Sequence, residues 1–203
     1  MEEFKIVCFI TKDSPYIEVA NKYLLPSLKK LNIEPLIIEA ENYHNWHKNV
    51  AQKPLIALQT LEKYKGTNIV LLDVDCTVES YPELFQCLPE EYSIALYTLD
   101  WDTWYKNNSG VKEVLSGTMF LRNTDKVKKL CRIWYENAME VGDWEQKALG
   151  RVLKQKKDIK IYDLPLEYCY ITSMPGGQEP HVKCDNAVIK HYQVSRALKR
   201  GVL

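Results

Sequence analysis

The sequence predicts an α/β fold, a mainly parallel sheet flanked by helices, and three observations carry that expectation. Short, continuously apolar runs such as Lys5 to Thr11 (KIVCFIT) and Asn68 to Asp73 (NIVLLD) have the character of strands buried on both faces. Longer stretches place apolar residues three and four apart, the repeat of an amphipathic helix. The two kinds of segment alternate along the chain, the order that produces parallel strands joined by crossover helices.

The first strand, Lys5 to Thr11, runs into a polar stretch containing Pro15. Tyr16 to Leu31 then reads as helix through Ile17, Ala20, Leu24, Leu28 and Leu31, with Pro26 expected to kink or divide it. Pro35 to Glu39 is a second strand. Asn42 to Asn49 reads as a polar, aromatic loop, and Lys53-Pro54 as the opening of a helix, since proline suits the first helical position. Gly66 closes that helix and the Asn68 to Asp73 strand follows. A helical turn near Tyr81 to Cys87 separates it from a strand at Ser93 to Leu99, and Gly117 to Leu121 is a further strand. Thr124 to Met139 and Trp144 to Leu153 have helical spacing, and Ile159 to Tyr162 and Ala187 to His191 read as short strands. The segment Thr172 to Asp185, with Pro175-Gly176-Gly177, is too poor in apolar residues for the core and is expected to be a loop that closes over a ligand.

Composition narrows the function. The chain has 203 residues, 46% of them apolar, without repeats or low-complexity runs, which fits a single domain over 1–203. Twenty-seven basic residues balance 27 acidic ones, so nothing in the net charge supports a nonspecific nucleic-acid or anionic-membrane binder. The start, Met1-Glu2-Glu3-Phe4-Lys5, is acidic and followed by an apolar run of strand length only. Neither a signal peptide nor a membrane span is therefore expected, and the expected location is the cytoplasm. Cys8, Cys76, Cys87, Cys131, Cys169 and Cys184 lack the close pairing of a zinc site, and most lie in apolar stretches, as reduced thiols do.

In a parallel sheet, ligands gather at the carboxyl ends of the strands. Asp73-Val74-Asp75 stands at such an end, and two carboxylates there are costly without a cation unless both are solvated. Mg²⁺ and Mn²⁺ take oxygen ligands and are commonly shared between protein carboxylates and substrate phosphates, which a nucleoside diphosphate-sugar supplies. A second pair, Asp100-Trp101-Asp102, follows the Ser93 to Leu99 strand in a polar, aromatic setting with Trp104, Tyr105, Asn107 and Asn108. That setting suits sugar hydroxyls and ring stacking better than a dry metal site.

The run KPLIALQTLEKYKGTNIVLLDVDCTVESYPELF, Lys53 to Phe85, resembles the core of nucleotide-diphospho-sugar glycosyltransferases of the GT-A fold, where a lysine-bearing helix precedes an apolar strand ending in Asp-x-Asp. SGTMFLRNT (Ser116 to Thr124), DWEQKAL (Asp143 to Leu149) and VIKHYQVSR (Val188 to Arg196) continue the resemblance in the family's order. It implies a single-domain, Rossmann-like GT-A fold and a metal site of Asp73, Asp75 and His191, holding Mn²⁺ or Mg²⁺, with the neutral imidazole favouring Mn²⁺. It also implies donor contacts from Thr11, Lys12, Lys53, Asp73, Val74 and Arg196, the lysine and arginine against diphosphate oxygens. Gly117 and Gln146, with Asp100, Trp101 and Asp102, are expected on the sugar and acceptor side. The residue before Gln146 departs from the family's pattern, being Glu145 rather than Asp. Glu145 or Asp143 is thus the candidate catalytic carboxylate, as general base or as holder of sugar hydroxyls, while the helix dipole alone would also explain Asp143.

The expected activity is metal-dependent transfer from a nucleotide-sugar, a UDP-sugar by expectation, to a hydroxyl acceptor. A saccharide is the favoured acceptor and a hydroxylated base of DNA the alternative. A nucleotidyltransferase would use similar carboxylates, but ITKDSPY after the first strand has none of the glycine such enzymes place there. A noncatalytic nucleotide-sugar-binding module is the third reading.

Overall fold

The computed structural model describes residues 3–173 and 179–194. Arg196, and Pro175-Gly176-Gly177 of the expected closing loop, lie outside the described residues. β1 (Phe4–Thr11), β2 (Leu36–Ala40), β3 (Asn68–Leu72), β5 (Ile94–Asp100), β6 (Lys112–Leu121) and β7 (Ile161–Asp163) form one sheet in the order β2-β1-β3-β6-β5-β7. β1 pairs in parallel with both β2 and β3, and β5 with β7, whereas β6 is antiparallel to both of its neighbours. The sheet is thus mainly parallel, as expected, with one reversed strand in its middle. A second, small sheet has the order β4-β9-β8, from β4 (Cys76–Val78), β8 (Tyr170–Ile171) and β9 (Ile189–His191).

Why the strands of the large sheet lack polar alternation is visible in the core. In β3, Ile69 and Leu71 join the apolar cluster beneath α3 (Trp46–Lys63), α5 (Asp125–Val141) and α6 (Glu145–Gln155), while Val70 and Leu72 join the cluster on the opposite face. That opposite face is covered by α1 (Tyr16–Lys22), α2 (Leu24–Lys30) and a 3-10 turn at Glu83–Gln86. Leu24, Leu28, Leu61, Trp134 and Leu149 have no exposed surface, and burying each contributes about 1.5–3 kcal/mol.

Two prolines shape the helices. Pro26 is the third residue of α2, and the division falls at Tyr23 (φ −111°, ψ −70°) because proline can neither donate to the carbonyl four residues back nor tolerate its ring against it. Pro54 corrects an expectation. It lies inside α3, which begins at Trp46 rather than at Lys53, because Asn45 accepts a bond from Lys48 N at 3.1 Å and so caps an earlier start. The asparagines that read as loop are the scaffold of this start: Asn49 Nδ2 donates to Asn42 Oδ1 at 3.0 Å, and Tyr43 N donates to Asn49 Oδ1 at 2.8 Å.

α4 (Trp101–Tyr105) and the first half of β6 were not expected either. α4 exists because Asp100 Oδ1 accepts from Asp102 N at 2.9 Å and Thr103 N at 3.3 Å. β6 has its register shift against β5 between Leu96 and Thr98, opposite Leu115 to Thr118, which hides the alternation of Lys112 to Ser116. All six cysteines are free thiols, as expected, and no described helix is long and apolar enough to cross a membrane.

Candidate active site

The carboxyl end of β3 and the small sheet meet at one point. Gly117 O accepts from Asp73 N at 2.9 Å, so the residue after β3 stays attached to β6. The chain then turns through Val74 and Asp75 into β4, where Cys76 pairs with His191 of β9. Asp75 is bound to the same strand exit: its carbonyl accepts from Tyr192 N at 2.8 Å and its Oδ2 from Val194 N at 2.8 Å. A residue 116 positions away is thereby fixed beside Asp75, and ligand atoms of Asp73, Asp75 and His191 all fall within 4.8 Å of one another.

Gly117 makes the convergence sterically possible. A Cβ there would lie 2.9 Å from His191 Cε1, 3.1 Å from its Nδ1 and 3.3 Å from Asp73 Oδ2, so any side chain would separate the histidine from the aspartate. On the other side of the ring, His191 Nε2 is 2.8 Å from Thr118 Oγ1. A tautomer that donates Nε2–H to Thr118 keeps the Nδ1 lone pair free. Burial, and then the nearby Lys53 ammonium, push the His191 pKa down to about 3, so the ring is neutral and able to ligate.

Behind these three residues sits a lysine between carboxylates. Lys53 Nζ is 2.6 Å from Asp73 Oδ1, 3.0 Å from Glu145 Oε1 and 3.2 Å from the Ser116 carbonyl, and its side chain is 7% exposed. Burial pushes its pKa down, but the two carboxylates more than offset this, so the ammonium is held charged. Ser116 Oγ donates to Glu145 Oε1 at 2.7 Å, and Trp134 Nε1 to the Glu145 carbonyl at 2.6 Å. Asp75 shows the opposite imbalance. Its burial, then the negative charge of Asp73, raise its pKa to about 6, against the pull of Val194 N–H and Lys53. Asp73, Asp75 and Glu145 against Lys53 leave two negative charges, the complement of one divalent cation, and the oxygen, oxygen and imidazole set suits Mn²⁺.

These residues line one cleft of about 1190 Å³, above the roughly 300–1,000 Å³ usual for one small-molecule ligand. Thr11 and Tyr16 line the β1 side, Asp73, Asp75 and His191 the middle, and Trp101, Tyr105, Glu113 and Gln146 the β5–β6 side, with Trp46 and Trp144 on the α3–α6 wall. The cleft therefore brings together Thr11, Lys53, Asp73, Asp75, Trp101, Gly117, Glu145, Gln146 and His191 of the residues singled out in the sequence.

Other expected site residues are employed elsewhere. Lys53 lines the cleft, and its Nζ is bonded within the protein to Asp73, Glu145 and Ser116. Lys12 turns to Glu41 at 3.4 Å, and the Val74 side chain is buried in the core. Asp100 caps α4, and Asp102 accepts from Gly110 N at 3.0 Å, so the two carboxylates of this second Asp-x-Asp shape a loop while Trp101 between them lines the cleft. Asp143 pairs with Arg151 at 3.2 Å and stays outside the cleft lining. Ser116, Thr118 and Glu113 were not singled out. A signal for the first two existed: hydroxyls within the strand Gly117 to Leu121 and its approach, being buried, require partners.

The sequence profile of the nucleotide-diphospho-sugar transferases matches residues 39–192, from the end of β2 through β9, including every residue of the Asp73, Asp75 and His191 cluster. The chain belongs to this family. As a nucleotide-diphospho-sugar transferase it is an enzyme, a glycosyltransferase, and its fold matches solved GT-A glycosyltransferases. A glycosyltransferase involved in glycosylation of the major capsid of PBCV-1 is 14% identical and matches 99% of this chain and 100% of its own, with a TM-score of 0.68. Mouse xyloside xylosyltransferase 1 is 11% identical over 96% of this chain and 99% of its own, with a TM-score of 0.57. The galactosyltransferase LgtC, solved with donor and acceptor sugar analogs, is 10% identical over 93% of this chain and 87% of its own, also with a TM-score of 0.57. No curated protein sequence matches the chain.

Proposed function

We propose that this nucleotide-diphospho-sugar transferase is metal-dependent and moves a hexosyl or pentosyl unit from a UDP-sugar to a hydroxyl of a saccharide acceptor. The observation that carries the metal dependence is the pair of uncompensated negative charges at a cluster that also contains a neutral, buried imidazole. Asp73, Asp75 and His191 would hold the ion, Mn²⁺ in preference to Mg²⁺. When bound, the ion offsets charge accumulating on the diphosphate as its bond to the sugar breaks.

The remaining roles follow from position along the cleft. Thr11 and Tyr16, at the end of β1, face the nucleoside side. Lys53 fixes Asp73 and Glu145 in place, and Glu145, bonded to Lys53 and Ser116, holds that frame. Gln146 and Trp101 face the sugars, the amide by hydrogen bonding and the indole by stacking. A saccharide fits the aromatic wall and the absence of net positive charge better than DNA does.

The test is release of nucleoside diphosphate from UDP-, GDP- and ADP-sugars by the purified protein with Mn²⁺, Mg²⁺ or EDTA. The expected result is slow hydrolysis of a UDP-sugar with Mn²⁺, abolished by EDTA and reduced at least about 100-fold by Asp75→Ala. Equal turnover in EDTA, or in Asp75→Ala, contradicts the reading.

A further inference from the structure

Glu113 is a half-buried carboxylate on β6, opposite Leu99 of β5, and among the described residues it has no cationic partner. Each of its oxygens is instead bound by a neutral N–H donor from a different element. Oε1 accepts from Gln146 Nε2 at 2.7 Å, and Oε2 from Trp101 Nε1 at 3.0 Å. The carboxylate thus joins the start of α4 to the start of α6 across the cleft, and all three residues line it.

The chemistry of the two donors gives this bridge a consequence. A glutamine amide can be turned over at little cost, but only its NH₂ end can face a carboxylate. Glu113 therefore sets the flip, placing Gln146 Oε1 against Ser116 N at 3.2 Å and Ser116 Oγ at 3.4 Å. The second Nε2–H of Gln146 has no partner among the described residues. Trp101 is fixed in the same way: its backbone N donates to the Val111 carbonyl at 3.0 Å, its ring meets Tyr105 edge-on at 5.4 Å, and Glu113 holds its N–H. The indole N–H is thus taken up by Glu113 while the ring lines the cleft. Through Ser116 the bridge continues to Glu145, Lys53 and Asp73, so the β5–β6 wall is bonded to the metal cluster by one chain of contacts.

We propose that Glu113 is a positioning residue that builds the acceptor subsite, fixing Trp101 and the second N–H of Gln146 on one wall of the cleft, the indole for a sugar ring and the N–H for one of its hydroxyls. This rests on the transferase reading above. The acceptor is then a saccharide with one apolar ring face, stacked on Trp101. Glu113 reaches the Asp73, Asp75 and His191 cluster only through Gln146, Ser116, Glu145 and Lys53, whereas it touches Trp101 and Gln146 directly.

The experiment compares the wild type with Glu113→Gln and Trp101→Phe. Glutamine keeps the shape but presents one NH₂ end, which opposes whichever donor it faces. Transfer is measured to the best acceptor from a panel of p-nitrophenyl hexosides and pentosides, and donor hydrolysis with Mn²⁺ is measured without acceptor. The expected result is a rise in acceptor KM of about tenfold in Glu113→Gln, larger than the change in kcat or in donor hydrolysis measured without acceptor. In the Trp101→Phe background the same substitution adds a smaller effect, since one of the two bonds is already gone. The ¹⁵N-indole resonance of Trp101, assigned from its absence in Trp101→Phe, shifts and exchanges faster in Glu113→Gln, which reads the bond without catalysis. An unchanged acceptor KM with intact donor hydrolysis, or an unchanged indole resonance, overturns the role of Glu113 alone. Absence of donor hydrolysis in the wild type overturns the transferase reading and this proposal with it.

Discussion

β3 is five residues with no exposed member, held between parallel β1 and antiparallel β6, whereas β4, β8 and β9 have three, two and three residues and pair only with one another. The two sheets contribute differently to one site. Asp73 follows β3 and is placed by the large sheet and by Lys53. Asp75 and His191 are placed by each other's strands, through Cys76 opposite His191 and through Val194 N on the Asp75 carboxylate. The Asp73, Asp75 and His191 cluster is thus a seam: one half belongs to the large sheet's core and the other to the small sheet.

The largest expected effect lies on the large sheet's half. Lys53→Met leaves the Asp73 and Glu145 carboxylates without their cation, Glu145 almost wholly buried, and is expected to lower unfolding free energy by about 3 kcal/mol in urea denaturation. A loss below about 1 kcal/mol would mean the carboxylates find other partners. A smaller effect is expected at the seam itself. Thr118→Val removes the oxygen beside His191 Nε2 and leaves a buried ring N–H without it, so Mn²⁺ binding by calorimetry should weaken about tenfold, with a stability loss of about 1 kcal/mol, smaller than that of Lys53→Met. Equal loss of stability in the two variants would erase the distinction between the halves.

The same distinction decides what the sequence disclosed. β1, β3 and β5 were legible because a strand buried on both faces must be apolar throughout, and α5 because Val127, Leu130, Cys131, Trp134 and Ala138 all meet the core. Asp73 and Asp75 were legible as an anomaly at the end of such a strand. β4 and β8 were not, since two or three residues carry no period and their existence depends on β9. The start of α3 was hidden because Asn42, Asn45 and Asn49 look like loop until their side chains are seen capping the helix. His191 was assigned through family resemblance. The register that brings it to Asp75 is a long-range property, as is the link of Glu113 to Trp101 and Gln146.

The most direct test of the shared metal site is an electron paramagnetic resonance titration of Mn²⁺ with UDP present, comparing wild type with His191→Ala and Asp75→Asn. The wild type should take up one equivalent at pH 7.5, and both variants should bind at least about tenfold more weakly. The pH profile carries its own sign. Asp75 is raised to about 6 in the fold and titrates near 4 unfolded, so the metal-free protein loses stability as pH rises across that interval, and bound cation reverses the loss. Affinity should therefore fall as pH drops below about 6, with no step from His191, which stays neutral down to about 3. Equal Mn²⁺ uptake by wild type and both variants, at every pH from 5 to 8, would contradict the account.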